Sequence, residues 1–110
     1  MNRYTINYNS WSRMSIFEQM GNIYSEISRS FKAKRDNNKE YEILSVIRAI
    51  ELFDATVETL IKKKSIRAKE VLRSKDQFIS NLFSEKFNDK DALELEKYFM
   101  QFAIAARVRK

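Results

Sequence analysis

Residues 15–31, SIFEQMGNIYSEISRSF, decide the fold class of this chain. Ser15 and Glu18 form a capping-box pattern, in which each side chain accepts a hydrogen bond from a backbone amide at the start of a helix. Apolar residues then recur every three or four positions, the spacing of one helix face: Ile16, Met20, Ile23, Ile27 and Phe31. The stretch predicts an amphipathic helix from Ser15 to about Lys34.

Three further segments have the same pattern and are separated by short polar breaks. A second helix is predicted over residues 39–62, a third over 66–87 and a fourth over 90–108. Helices of this length with short connections favour antiparallel neighbours. The sequence predicts an all-α fold, an antiparallel up-down-up-down four-helix bundle over residues 15–110.

The first 14 residues, MNRYTINYNSWSRM, lack helical periodicity. We expect residues 1–14 to form an irregular N-terminal arm, and the sequence gives no position for its aromatic side chains, Tyr4, Tyr8 and Trp11. With 110 residues in all, the chain has room for one domain only.

Composition excludes several classes of protein. One Gly and no Pro argue against an all-β fold, because tight turns between strands use both residues. The absence of Cys and His removes disulfides, the usual zinc ligands and histidine acid–base chemistry, so no metal, cofactor or catalytic residue is predicted. The longest apolar run, residues 102–106, is far short of the ~20 residues that span a bilayer, and the N-terminus lacks the pattern of a signal peptide. We expect a cytoplasmic protein without a membrane partner.

Four stretches carry a resemblance to known proteins: WSRMSIFEQMGNIYSEISR (11–29), NKEY (38–41), RAIELFD (48–54) and YFMQFAIAAR (98–107). Together they resemble a group of small, uncharacterised bacterial helical-bundle proteins, with a first helix of the type WxxMSxxEQMGNIxSE. The resemblance implies a helical bundle and no known activity.

Two charged residues interrupt the apolar faces of the predicted helices. Asp54 lies in the second helix and Lys75 in the third, and a turn centred near residues 64–65 places them at the same level of the hairpin. One interpretation is a buried ion pair that fixes the register of the hairpin. The other is a catalytic acid–lysine pair or a ligand anchor. Glutamates in a helical bundle also suggest a di-iron site, but that site needs Glu-x-x-His motifs and this chain has no His.

Positive charge is concentrated between residues 62 and 75. The segment holds one acidic residue, Glu70, and seven basic ones: Lys62, Lys63, Lys64, Arg67, Lys69, Arg73 and Lys75. A second basic cluster occupies the turn after the first helix: Lys32, Lys34, Arg35 and Lys39. The segment is either a solvated charged turn or a surface that contacts nucleic-acid phosphates without reading sequence.

The fourth helix carries apolar residues outside its core stripe. Leu93, Met100, Ile104 and Val108 follow one another at spacings of seven, four and four, which predicts a second apolar face. We interpret this face as the interface of a homodimer. The alternative is that the aromatic arm around Trp11 packs over the same face. Gly21, in the middle of the first helix, predicts close approach of another backbone, for which Ala103, Ala105 and Ala106 offer small side chains.

These features favour a non-catalytic interaction module, homo-oligomeric and serving a partner protein. The alternative is a basic accessory protein that binds RNA or DNA non-specifically through the turn between the second and third predicted helices. An enzyme that uses Asp54 and Lys75 is the third hypothesis, because no nucleophile–base pair, glycine-rich phosphate loop or metal cluster can be assembled.

Overall fold

The structure, a computed structural model, describes residues 6–108, and within them it is all-α and contains no strand. The four predicted helices are present and a short fifth helix precedes them. The elements are α1 (Tyr8–Arg13), α2 (Ile16–Arg35), α3 (Lys39–Lys62), α4 (Arg67–Leu82) and α5 (Asp89–Val108).

Helix α1 corrects the expectation of an irregular arm over residues 1–14. Its six residues begin after Asn7, whose side chain accepts a hydrogen bond from the Ser10 amide at 3.2 Å. A helix this short has no apolar stripe to detect, so periodicity gave no signal. Tyr4 lies outside the described residues.

The cap predicted at the start of α2 is confirmed. The Ser15 hydroxyl accepts from the Glu18 amide at 3.1 Å, and the Glu18 carboxylate accepts from the Ser15 amide at 3.2 Å. At the other end, Asn38 caps α3 by accepting from the Tyr41 amide at 3.1 Å. Side-chain oxygens thus satisfy backbone donors at both helix starts, which fixes where the chain enters each helix.

Helix α2 lies at the centre of the fold and packs most extensively against α3 and α5, while α4 packs mainly on α3. The helices meet around a cluster of aromatic rings. The rings of Phe53 and Phe99 meet edge to face, with their centroids 5.8 Å apart. Phe78 of α4 contacts both Phe31 and Phe53. These four rings are fully buried and form the middle of the core.

The close approach predicted at Gly21 is confirmed. A Cβ atom added to Gly21 would lie 3.1 Å from the Cα atom of Ala103, so α2 and α5 touch backbone to backbone at this level. At the other end of the same pair, Arg35 contacts Asp89 at 2.6 Å. The end of α2 is therefore next to the start of α5.

The buried face of α3 differs from the predicted one. The apolar spacing of the second predicted helix places eight residues in one core stripe: Ile43, Val46, Ile47, Ile50, Phe53, Val57, Leu60 and Ile61. Three of them, Ile43, Ile47 and Ile61, are 54%, 42% and 60% exposed. The other large members of that stripe are buried as predicted: Val46, Phe53, Val57 and Leu60. Helix α3 also buries small and polar side chains that the spacing did not select: Glu42, Ser45, Ala49, Ala55, Thr56 and Thr59. The buried face is therefore rotated from the predicted one, which leaves the three isoleucines exposed.

The third predicted helix ends earlier than expected. Helix α4 stops at Leu82, and residues 83–88 form an irregular connection rather than a last helical turn. Phe87 nevertheless packs inward, with its ring centroid 6.0 Å from that of Phe31. The Asn88 side chain then accepts from the Lys90 amide at 2.9 Å, which marks the start of α5. Among residues 6–108, no helix is long and apolar enough to cross a membrane.

Candidate interaction surfaces

Asp54 and Lys75 form the ion pair that the hairpin register predicts. The Lys75 ammonium lies 2.8 Å from Asp54 Oδ1, joining α3 to α4. The expected burial of this pair is wrong, because the Asp54 side chain is 56% exposed and that of Lys75 is 21% exposed. Asp54 lies on the same exposed edge of α3 as Ile47. Of the two side chains in the pair, only that of Lys75, on α4, is mostly covered.

The basic segment 62–75 divides into paired and unpaired cations. Lys62 contacts Glu58 at 3.3 Å, and Lys63 donates to the Ser12 carbonyl at 3.2 Å. The lone acidic residue, Glu70, accepts a hydrogen bond from the Tyr98 hydroxyl at 2.8 Å. The remaining four cations are exposed and have no carboxylate partner within residues 6–108: Lys64, Arg67, Lys69 and Arg73.

Two of the four cations in the second basic cluster, Lys32 and Arg35 at the end of α2, are paired with carboxylates. Lys32 pairs with Asp36 at 3.0 Å, and Lys34 lies over the Phe87 ring at 5.3 Å. Arg35 bridges two acidic residues of α5. Burial lowers the pKa of Arg35, but its hydrogen bonds to those carboxylates outweigh that effect and raise the pKa above its usual value. Lys34 and Lys39 have no carboxylate partner within residues 6–108, so segment 62–75, with four such cations, carries the larger unpaired charge.

The second apolar face of α5 is exposed, as its spacing predicts. Leu93, Met100, Ile104 and Val108, here called the α5 stripe, are 48%, 38%, 52% and 77% exposed. Buried residues such as Leu95 and Phe99 occupy the opposite side of the helix. The described part of the arm packs elsewhere, because α1 contacts α3. Coverage of the α5 stripe by a second chain stays a prediction.

An open groove of about 600 Å³ separates α4 from α5. Its lining includes Asp76, Asp91, Glu94 and Tyr98. Burial, and then the hydrogen bond to Glu70, raise the pKa of Tyr98 to about 12, so the phenol stays neutral and keeps donating to that carboxylate. Residues 6–108 contain no group of three or more His, Cys, Asp or Glu side chains that could hold a metal ion.

Sequence reasoning missed the contacts that hold α1. Trp11 is 7% exposed, and its indole N–H donates to Thr56 Oγ1 of α3 at 3.1 Å. The Trp11 carbonyl accepts from the Gln19 side chain at 2.7 Å, so both Thr56 and Gln19 satisfy a buried polar group. Two signals were present in the sequence: Asn7 as the cap of a short helix, and a polar residue, Thr56, between Ala55 and Val57. Neither indicates that Trp11 and Thr56 are in contact.

A second exposed apolar patch was also missed. Ile43 and Ile47 of α3 are exposed, and Phe83, at the end of α4, is 54% exposed. Ile43 and Ile47 belong to the stripe predicted for the second helix, and the spacing of Ile79, Leu82 and Phe83 places Phe83 in that of the third. The structure leaves all three at the surface.

No known protein family matches the chain, and neither a curated protein nor a solved structure matches it. The evidence on function therefore comes from the surfaces of this chain itself.

Proposed function

We propose that the chain is a non-catalytic interaction module, a cytoplasmic antiparallel up-down-up-down four-helix bundle that forms a homodimer and serves a partner protein. The observation that carries this proposal is the α5 stripe, four apolar side chains exposed on the side of α5 opposite its buried face. The resemblance to small bacterial helical-bundle proteins agrees with such a module and stays a prediction.

Burial of the α5 stripe would favour association. A fully buried Leu, Ile, Val or Met side chain contributes about 1.5–3 kcal/mol, and the four members of the stripe are between 38% and 77% exposed, so each offers roughly half of that value. Two copies together then gain on the order of 8 kcal/mol, against an association cost of about 4–15 kcal/mol. Micromolar association needs a net gain of about 8 kcal/mol, so contacts around the α5 stripe must add to its burial for the homodimer to form at micromolar concentration.

The chain's composition supports a role without catalysis. It has neither Cys nor His, the side chains that most often act as nucleophile and as general base near neutral pH. The Asp54–Lys75 pair, which the enzyme hypothesis would use, lies open to solvent at one edge of α3. Solvent exposure screens such a pair and gives it little power to activate a substrate.

Sedimentation of the wild-type chain against a double variant tests the proposal. Met100→Lys with Ile104→Glu places two charges in the α5 stripe, and we expect a folded monomer where the wild type dimerises. Ile47→Glu is the matched control, because Ile47 is 42% exposed on α3 and lies outside the stripe. A wild-type chain that sediments as a monomer at high micromolar concentration would refute the homodimer.

A second function is supported by the four unpaired cations of segment 62–75. They lie at the α3–α4 turn and on the first half of α4, where phosphates of RNA or DNA could contact them without base recognition. Lys32 and Arg35, which are paired with carboxylates near the α2–α3 turn, offer the contrast within the same chain. We propose non-specific nucleic-acid binding as the alternative role.

Salt dependence tests this alternative. Changing the four unpaired cations to Gln should lower the slope of log affinity against log salt by about 0.9 for each phosphate of duplex DNA that the variant no longer neutralises. The control changes Lys32 to Gln, which removes a cation that is already paired with Asp36 and should leave the slope unchanged. A wild-type chain that is not retained on DNA or RNA at low salt would eliminate this function.

A further inference from the structure

We infer that the two copies of the homodimer pack antiparallel, with each α5 stripe lying on the other and a two-fold axis passing near Met100. The inference rests on the proposed homodimer and adds the direction and register of its interface. Three features of α5 carry it: the distribution of charge along the helix, the position of Lys97, and the length of the stripe.

Charge is unevenly distributed along α5. Its first half has a net charge of −2, from two basic residues, Lys90 and Lys97, and four acidic ones: Asp89, Asp91, Glu94 and Glu96. Two of these carboxylates, those of Asp89 and Glu96, already pair with Arg35 of the same chain. From Tyr98 onward the sequence has no acidic residue and contains Arg107, Arg109 and Lys110. Arg107 is exposed and has no carboxylate partner within residues 6–108. An antiparallel pair sets the acidic half of each helix beside the basic half of the other, whereas a parallel pair sets like charges side by side.

The helix dipoles favour the same direction. Each helix carries a partial positive charge at its N-terminus and a partial negative charge at its C-terminus. In an antiparallel pair the opposite partial charges adjoin, and in a parallel pair the like ones do. At each end of α5 the side-chain charges and the helix dipole have opposite signs, so they partly cancel and the dipoles add little to the preference.

Lys97 lies within the α5 stripe. It follows Leu93 by four residues and precedes Met100 by three, which places it on the same helix face, and it is exposed. In a parallel two-fold dimer the two Lys97 ammonium groups would meet at one level of an apolar interface. In an antiparallel dimer Lys97 lies opposite Ile104 of the second copy, and the two copies of Lys97 are separated by about 10 Å along the helix axis.

The length of the stripe sets the register. Apolar overlap is greatest when Leu93 of one copy lies opposite Val108 of the other, which places the two-fold axis between residues 100 and 101. From Leu93 to Val108 the stripe spans 16 residues, or about 22 Å of helix. Because a two-fold interface is self-complementary, Met100 then faces its own copy across the axis.

Thiol cross-linking tests the direction, because the chain has no native Cys and each engineered thiol is unique. The variants are Leu93→Cys, Met100→Cys and Val108→Cys, used at a concentration where the wild type sediments as a dimer. Met100→Cys should cross-link to itself. Leu93→Cys and Val108→Cys should each fail to do so, but a mixture of the two, with one carrying a mass tag, should give the mixed dimer. The exposed control Ile47→Cys should not cross-link.

The outcomes separate this inference from the proposed homodimer. Self-cross-linking of Leu93→Cys and of Val108→Cys, without enrichment of the mixed product, would show a parallel dimer and overturn the inference alone. Dimers in which none of the three variants cross-links would mean that another surface forms the interface, and a monomeric wild type would remove the homodimer itself. Each variant is checked for wild-type helicity and sedimentation first, and serine at the same positions provides the matched thiol-free control.

Discussion

Replacing Thr56 by Val tests how α1 is held to the rest of the fold. Thr56 is fully buried, and its hydroxyl oxygen accepts the hydrogen bond that the Trp11 indole N–H donates, at 3.1 Å. Valine keeps the volume and the β-branch of threonine and removes the acceptor. The indole N–H would then be buried without a partner.

The expected magnitude follows from that loss. A buried donor left without an acceptor costs about 1–3 kcal/mol, and each kcal/mol lowers the Tm of a domain of about 100 residues by about 4–8 °C. We therefore expect Thr56→Val to lower the free energy of unfolding by about 1–3 kcal/mol. Trp11→Ala should cost more, about 3–5 kcal/mol, because it also removes a large buried side chain.

Thr59→Val is the matched control on the same helix. Thr59 is 6% exposed, and its hydroxyl donates to the Ala55 carbonyl of its own helix at 2.8 Å. That carbonyl also accepts the regular backbone bond of the helix, so removal of the hydroxyl leaves no buried group unsatisfied. We expect a change of less than about 0.5 kcal/mol.

Urea unfolding measures the difference, followed by helical circular dichroism and by the fluorescence of Trp11, the only tryptophan of the chain. Thr56→Val should shift the midpoint to lower urea, and the emission of Trp11 should move toward that of a solvated indole if α1 detaches. Equal midpoints for Thr56→Val and Thr59→Val, with unchanged emission, would refute the role assigned to this hydrogen bond.

Three further predictions concern the core and the surface. A double-mutant cycle of Asp54→Ala and Lys75→Ala in urea should give a coupling below about 1 kcal/mol, because Asp54 is 56% exposed; a coupling near 3 kcal/mol would show burial in solution. Gly21→Leu should lower the calorimetric Tm through a loss of about 1–3 kcal/mol, since even a Cβ there meets Ala103 at 3.1 Å, and an unchanged Tm would contradict that contact. The pKa of Tyr98 is raised to about 12, against 10.0 for the free phenol. The stabilisation that the neutral phenol of Tyr98 gives the folded state is therefore complete below pH 10 and is lost as the pH rises from 10 to 12. Tyr98→Phe should flatten the fall of the urea midpoint over that range.

Several features of this protein were determined by the sequence alone. The capping box at Ser15 and the apolar spacing that follows it were enough to place α2, because both signals act within one turn of helix. The approach of Asp54 to Lys75 followed from counting residues on either side of one short turn. The exposed stripe on α5 followed from its having two apolar faces, of which one covers the core.

Only the tertiary structure decided which side of each helix the neighbours cover. Periodicity gives the faces of α3, but its neighbours bury Ala49 and Thr56 and leave the larger Ile47 and the charged Asp54 exposed. The position of Trp11 was decided in the same way, because its partner Thr56 is 45 residues away and no local signal links the two. Spacing along a helix is a local property, whereas burial depends on contacts between residues far apart in the chain.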